Sequence, residues 1–545
     1  MIIWGETMRI AIGQVPQRST REPTMAIRNV VLFLADQWRG DTLRVAGHPC
    51  IETPHLDRLI AEGVTFRQHY ATASPCGPAR TSLLTGLYMS SHRVVQNGTP
   101  LDDRHDNLAR AIRRSGREAA IFGYTSSVPD PRGLSPADPA LHNAHGTMVG
   151  FTDFAPGLPI DHAYMAHVKA RGYDIPANRV DFWMPDPVVA AAHPERGPTW
   201  APARFSSEDS DNTFLVDAAL RYLSVREDLP WFIHVATMRP HPPFLATAPW
   251  HAKYDPADAP RPRRRESRET EARQHPFLAE LLATTSQREY FRTGRGLAAD
   301  IGDDDMLQLR ATYYGMIGEV DAQLGRLIDY LKQSGQYDET LIVFSSDHGE
   351  MLGDHRLLGK SGYFAEAYHI PLVIRVPGAA ADATRGTVVD HFTECIDVMP
   401  TILEALGQPV PVQCDGSSLL PFLSGRAVTA WRDGVVFEFD FRDADAPDGF
   451  RQRQGLRLDQ CSLACFRDRR FHYVHFPTLP PLLFDLEADP HCFENVAMRA
   501  DYAAIVRDCA QRLLSWRMES NERVLTGLRV TPQGMVEQRD PPRWS

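Results

Sequence analysis

Across 545 residues the chain has no Cys-x-x-Cys pair, no internal repeat and no apolar run near the roughly 18 residues that a membrane span needs. Its eight cysteines, Cys50, Cys76, Cys395, Cys414, Cys461, Cys465, Cys492 and Cys509, are scattered, which excludes a zinc knuckle or a disulfide framework and leads us to expect reduced thiols in a cytoplasm. Basic residues are outnumbered, 58 Lys and Arg against 69 Asp and Glu, so despite a local cluster from Arg261 to Arg265 the chain lacks the basic face of a nucleic-acid binder. The first 25 residues, broken by Trp4, Glu6 and Gln14, lack the apolar core of a signal peptide. What remains, 43% hydrophobic and 23% charged, is an ordinary globular composition, long enough for one large domain and a smaller one.

One cysteine stands where a helix should begin. In the stretch Ser74-Pro-Cys-Gly-Pro-Ala-Arg-Thr-Ser-Leu-Leu-Thr-Gly86, Pro78 suits a first helical turn, where its missing N–H costs nothing, and Gly86 supplies the stop. Arg80, four residues after Cys76, falls on the same face one turn along. Unpaired N–H groups at a helix start, with a guanidinium fork beside them, suit an anion such as phosphate, phosphonate or sulfate.

Four short apolar runs read as strands buried on both faces of a parallel sheet, and each ends in polar residues. Asn29 to Ala35 ends in Asp36-Gln37, and Ala119 to Gly123 in Tyr124-Thr125-Ser126-Ser127. Trp231 to Thr237 leads to a turn carrying His241, and Thr340 to Ser346 ends in Asp347-His348-Gly349. A parallel sheet gathers such ends along one edge, where ligands bind. Asp36, Asp347 and His348, with Gln37 as a neutral oxygen donor, therefore make a candidate cage for one divalent cation.

Residues 1–25 read as an N-terminal arm or an over-long start, and 26–427 as the α/β catalytic part. Within that part, Pro129 to Asp209 reads as a long excursion over the site mouth, Pro256 to Arg273 as an exposed loop, Met306 to Gly335 as an amphipathic core helix and Asp390 to Leu406 as another helix. From 428 to 520 the pattern shifts to short strand-like pieces, Val435–Phe439, Leu456–Leu458, Ser462–Phe466 and Phe471–His475, before a helix over Tyr502–Met518. This predicts a smaller α+β part with an antiparallel sheet. The tail, 521–545, carries Val524, Leu525, Leu528, Val530 and Met535 with no partner in its own run, so we expect it to pack on a neighbouring subunit of a homo-oligomer, a dimer or tetramer.

The order Cys76-x-Pro78-x-Arg80 before Leu-Leu-Thr-Gly resembles the signature of the type I sulfatases of the alkaline phosphatase superfamily. Leu482-Leu-Phe-Asp-Leu-Glu-Ala-Asp-Pro490 resembles the Tyr-Asp-Leu-x-x-Asp-Pro segment near their C-terminus. The resemblance runs from about Asn29 to Asn495 and implies an alkaline phosphatase-like α/β sandwich around a large, mostly parallel sheet. It also implies that a formylglycine-generating enzyme oxidises Cys76 to formylglycine, whose hydrated aldehyde, held by the metal, is the nucleophile. Lys360 and His241 match the family's lysine and histidine that face the leaving-group oxygen, and Arg80 with the helix start would steady the equatorial oxygens. Asn97 is a lesser candidate for substrate contact.

Two departures from that family carry information. Its metal ligands are mostly carboxylates and Asn, a calcium set, whereas Gln37 and His348 favour manganese, with calcium or zinc as alternatives. Where sulfatases carry Gly-Lys-x-His after the second strand, this chain has Gly123-Tyr124-Thr125-Ser126, so Tyr124 and Ser126 put neutral hydroxyls in place of two cationic groups. Less positive charge suits a singly charged diester or phosphonate monoester better than a dianion, and the substitution resembles the superfamily's phosphonate monoester hydrolases and phosphodiesterases. The expected function is hydrolysis of small phosphonate monoesters and phosphate diesters with sulfatase side activity, with neither nucleic acid nor membrane as partner. A true sulfatase is the alternative within the family. A catalytically silent binding protein on the same fold is the alternative outside it, opposed by competent residues at every position expected to carry chemistry.

Overall fold

In Asn29–Asp36 every side chain is buried, because alternate residues point to opposite faces of a sheet covered on both sides. Val30, Leu32 and Leu34 join one core, whereas Val31, Phe33 and Ala35 join the other. The architecture around this strand comes from a computed structural model that describes residues 27–156, 161–226, 229–442, 449–521, 524–532 and 534–537; the expected arm, 1–25, lies outside them. In chain order the strands are β1 (Asn29–Asp36), β2 (Val64–Tyr70), β3 (Ala73–Ser74), β4 (Glu118–Gly123), β5 (Thr152–Pro156), β6 (Trp231–Pro240), β7 (Thr340–Ser346), β8 (Leu372–Arg375) and β9 (Thr387–Glu394). All but β3 form one sheet in the order β5-β4-β6-β1-β7-β8-β2-β9. Only β8 runs against its neighbours, so the sheet is mixed and mostly parallel.

The four strands read from the sequence, β4, β6, β1 and β7, lie side by side and parallel at the centre, and their carboxyl ends share one edge. Helices cover both faces. The long helix Asp303–Gln333, with three Asp residues in its first turn against the positive end of its dipole, packs with Asp211–Leu223 on one face. The helix Cys76–Thr85, buried at every residue, lies with Val398–Ala405 on the other.

A second sheet, in the order β13-β12-β11-β10-β3, comprises β10 (Gly434–Asp440), β11 (Ser462–Asp468), β12 (Phe471–His475), β13 (Leu482–Asp485) and the earlier β3. It is antiparallel except where β10 pairs with β3, and the helix Ala503–Glu519 packs on it. Because β3 immediately precedes Cys76, the smaller sheet clamps the segment that leads into the Cys76 helix. The tail contributes a hairpin of β14 (Leu528–Thr531) and β15 (Gly534–Glu537), with Leu525, Val530 and Met535 exposed.

Several expectations change. Asp390 to Leu406 is not one helix, since its first residues complete β9 beside β2 and the α-helix starts only at Val398. Leu456–Leu458 forms no strand; a short 3-10 turn follows at Leu458–Gln460. The Pro129–Asp209 excursion returns to the sheet as its edge strand β5, too short to show periodicity. Pro256 to Arg273 is tied down rather than free, since the Arg263 carbonyl accepts from the His355 amide and the Arg265 carbonyl from the Arg356 guanidinium.

Candidate active site and metal centre

The register of β1 against β7 pairs Ala35 with Ser346, so the next residues, Asp36 and Asp347, emerge together at the sheet edge. The Ser346 hydroxyl donates to the Ala35 carbonyl and accepts from the Trp38 amide, which stitches the two strand ends together. Asp36, Asp347, His348 and Cys76 each bring a possible ligand atom within 4.8 Å of the others, and all four are buried. His348 Nε2 lies 3.6 Å from an oxygen of each carboxylate and 3.2 Å from Cys76 Sγ. Its other nitrogen, Nδ1, lies 3.2 Å from the Gly349 carbonyl, which accepts and so leaves the Nε2 lone pair facing the cluster. Two carboxylates and an imidazole converging without water access are a donor set that fits one divalent cation.

Arg80 rises beneath this cluster as the helical spacing requires, but all three of its nitrogens are engaged by the protein. Nε donates to Asp347 at 2.8 Å, Nη2 to Asp36 at 2.9 Å and Nη1 to the Tyr124 carbonyl at 2.6 Å. Burial pushes the Asp36 carboxyl up, but His241, Arg80, Lys360 and His348 together hold it well below the usual range. Burial and the neighbouring Asp36 charge push Asp347 the other way, up to about 6. The Tyr124 ring stacks 4.1 Å from the Arg80 guanidinium, and its hydroxyl donates to Asp36. Tyr124 therefore braces the ligand cluster instead of facing open space.

Gln37 has a left-handed backbone, φ 69°, a conformation that a non-glycine residue adopts at a cost. Its side-chain amide donates to Glu350, while its Oε1 accepts from Lys360 Nζ at 2.7 Å. Lys360 also reaches Cys76 Sγ at 3.4 Å, and its carbonyl accepts from the Ser74 hydroxyl. Burial pulls the Lys360 ammonium down, yet Cys76, Asp36 and Asp347 more than offset it, so it stays charged at neutral pH. Burial and Lys360 depress His241 to about 4, which leaves a neutral ring whose Nδ1 lies 2.7 Å from the Pro242 carbonyl. Burial and Asp36 push the Cys76 thiol up, which disfavours a thiolate nucleophile at this position.

Asn97 caps the Cys76 helix, its Oδ1 accepting from the Gly77 amide at 2.7 Å. Ser126, also left-handed at φ 51°, lies against the same helix start: a Cβ on Gly77 would come within 3.1 Å of the Ser126 carbonyl oxygen. Its Oγ is 3.2 Å from Nδ1 of His145. Sequence reasoning missed Glu350, Ser74 and His145. Glu350 follows His348 by two residues and was open to the same strand-end argument; His145 sits in the aperiodic excursion, where no pattern marks it.

Residues 28–408 match the sulfatase family, and residues 353–519 match the C-terminal region of N-sulphoglucosamine sulphohydrolase. The chain is 47% identical over 519 residues to the multifunctional alkaline phosphatase superfamily protein PehA of Trinickia caryophylli, covering 94% of this chain and 99% of that one. It is similar to the crystal structure of a phosphonate monoester hydrolase of Agrobacterium radiobacter, at 42% identity and TM-score 0.89, covering 94% of this chain and 100% of the other. The phosphonate monoester hydrolase SpPMH from Silicibacter pomeroyi matches at 38% identity and TM-score 0.87 over the same shares. The fold is thus alkaline phosphatase-like, and this chain, with its buried ligand cluster at the strand edge and helix start, belongs to the sulfatase family.

Proposed function

We propose that this protein is a metal-dependent hydrolase of phosphonate monoesters and phosphate diesters, with a weaker activity on sulfate monoesters. The observation that carries the reading is the buried cluster of Asp36, Asp347, His348 and Cys76 at a helix start, braced by Tyr124 and bordered by neutral Ser126. The similarity to two phosphonate monoester hydrolases supports the substrate class.

Asp36, Asp347, His348 and the side-chain Oε1 of Gln37 would hold one divalent cation, manganese by the mix of imidazole, amide and carboxylate donors. That cation supplies Lewis acidity to an oxygen nucleophile, which the family's oxidation of this cysteine to formylglycine provides at position 76. Around it Arg80 keeps both carboxylates ionised and oriented. Lys360, charged and within reach of Cys76, donates the proton that the leaving oxygen needs, while neutral His241 offers Nε2 to accept one. Asn97 fixes the helix start by accepting from the Gly77 amide, and the ester's unesterified oxygens would lie at that helix start, on the side where Ser126 packs against Gly77.

The remaining parts of the reading are maturation of Cys76 by a formylglycine-generating enzyme, a cytoplasmic location, and a dimer or tetramer in which the exposed tail hairpin packs on a second copy. Light scattering of the full chain at micromolar concentration checks the last; a monomer refutes it. The central test uses protein whose formylglycine content at position 76 is measured by mass spectrometry and which is loaded with Mn2+. On it, kcat/KM is compared for a bis-aryl phosphate, an aryl phosphonate monoester and an aryl sulfate. The phosphorus esters should lead, and a clear preference for the sulfate makes the protein a sulfatase instead.

A further inference from the structure

The segment around His145 is built against the strand end that borders Cys76. The Gly146 carbonyl accepts from the Ser127 amide at 3.0 Å and from the Thr125 hydroxyl at 3.1 Å, and the Met148 amide donates to the same hydroxyl at 2.6 Å. A Cβ on Gly146 would meet the Ser127 carbonyl oxygen at 2.9 Å, so this close docking needs glycine. The His145 amide donates to Asn143 Oδ1 at 3.0 Å, which fixes the backbone from which the imidazole leaves. That imidazole is half-buried, bonded to Ser126, and within the electrostatic reach of Asp36, Arg80 and Lys360.

We infer that His145 is a specificity-determining residue that, paired with Ser126, gives a neutral hydrogen bond to an unesterified oxygen of a monoanionic phosphorus ester. The pair offers one outward donor in either tautomer. If Nδ1–H donates to the serine oxygen, the serine O–H is free to point outward; if the serine O–H donates to Nδ1, the ring's Nε2–H does so instead. Either way the pocket gains a donor without gaining a charge, which suits a diester and disfavours a dianion. Burial, opposed in part by Asp36 and reinforced by Arg80 and Lys360, keeps this ring from acquiring a proton near neutral pH. The inference deepens the proposed function and rests on it.

The test compares wild type, His145→Ala, His145→Gln and His145→Lys, each Mn2+-loaded and checked for formylglycine content and metal content, on a bis-aryl phosphate and an aryl phosphate with the same leaving group, with an aryl sulfate added for wild type. His145→Ala should lose about 5- to 10-fold in kcat/KM on the diester and less on the monoester. His145→Gln, which keeps a neutral donor, should return to within about 3-fold of wild type on the diester. His145→Lys should raise the ratio of monoester to diester hydrolysis by about 10-fold, because a fixed cation favours the dianion. Equal losses on both esters in His145→Ala, or no change in either ratio, overturn the role of His145 while leaving the proposed function intact. Wild-type preference for an aryl sulfate overturns the proposed function itself.

Discussion

On one wall of the Cys76 pocket, Asp36, Asp347 and His348 have no solvent exposure and each is held by further bonds to the protein, whereas on the other wall Ser126 and His145 are uncharged and bonded mainly to each other. Charges can be buried on the first wall only because they are matched, two carboxylates against Arg80 and Lys360, and the Arg80 pairs fix their geometry. The second wall needs no such compensation, so its groups can be changed without unbalancing a buried charge. Changes on the ligand wall should therefore slow every substrate alike, and changes on the neutral wall should alter the ratio between substrates.

The largest effect should come from the ligands themselves. Asp347→Asn, or chelation of the metal, should lower kcat on diester, phosphonate and sulfate together by on the order of a thousandfold, the several kcal/mol that Lewis-acid stabilisation supplies. Elemental analysis should find the site depleted, and adding Mn2+ back to chelated wild type should restore all three activities in step. Recovery of one substrate class without the others would break the distinction between the walls.

Arg80→Ala comes next. In the metal-free protein it leaves two fully buried carboxylates with Lys360 as their remaining counter-charge, and breaking a buried pair of this kind costs about 3–5 kcal/mol, read as a shift in the denaturation midpoint. A loss under about 1 kcal/mol would mean that one carboxyl neutralises itself by taking a proton, and Asp347, already pushed up beside Asp36, is the candidate.

The contrast also explains what could be read from the sequence. The ligand wall was legible because β1, β4, β6 and β7 are continuous apolar runs whose polar ends are conspicuous, and a parallel sheet brings such ends together whatever lies between them. Cys76 and Arg80 were legible through helical spacing. The partners of those residues were not. That Arg80 turns all three nitrogens inward, or that Tyr124 bonds Asp36, follows from packing across 44, 88 and 267 residues that no local pattern encodes. The first residues of Asp390–Leu406 are misread because Phe392 and Thr393 fit either a strand or a helix, and only the neighbouring β2 decides.

Glu350→Gln should produce a smaller loss. The Glu350 Oε1 accepts from the Leu352 and Gly359 amides, so a glutamine keeps its oxygen there and turns its amide nitrogen toward Gln37. Two N–H donors would then oppose each other, and Gln37 can relieve this only by rotating its own nitrogen toward the ligand cluster. Metal affinity should fall about 10- to 100-fold, as expected when a group that orients a ligand is lost, with selectivity between esters unchanged. Titration of the apo protein with Mn2+ measures it; unaltered affinity would remove Gln37 from the ligand set.

The finest division of the two walls is Tyr124→Phe. By sequence position Tyr124 belongs with Ser126, two residues away at the end of the same strand, and its hydroxyl stands where a charge could have met the substrate. By geometry it belongs with the ligands, since the hydroxyl donates to Asp36 and the ring lies against Arg80. Phenylalanine keeps the ring and removes only that bond, and Asp36 Oδ2 still accepts from Arg80 at 2.9 Å, so the cost should be about 1–1.5 kcal/mol, roughly 5- to 10-fold in kcat/KM. Because the effect passes through Asp36, the loss should be the same for bis-aryl phosphate, phosphonate monoester and aryl sulfate, whereas Ser126→Ala should penalise the diester above the others. If Tyr124→Phe instead changes the ratio between substrates while Ser126→Ala lowers all of them equally, the assignment of the two hydroxyls is reversed, and the boundary between the walls runs on the other side of Tyr124.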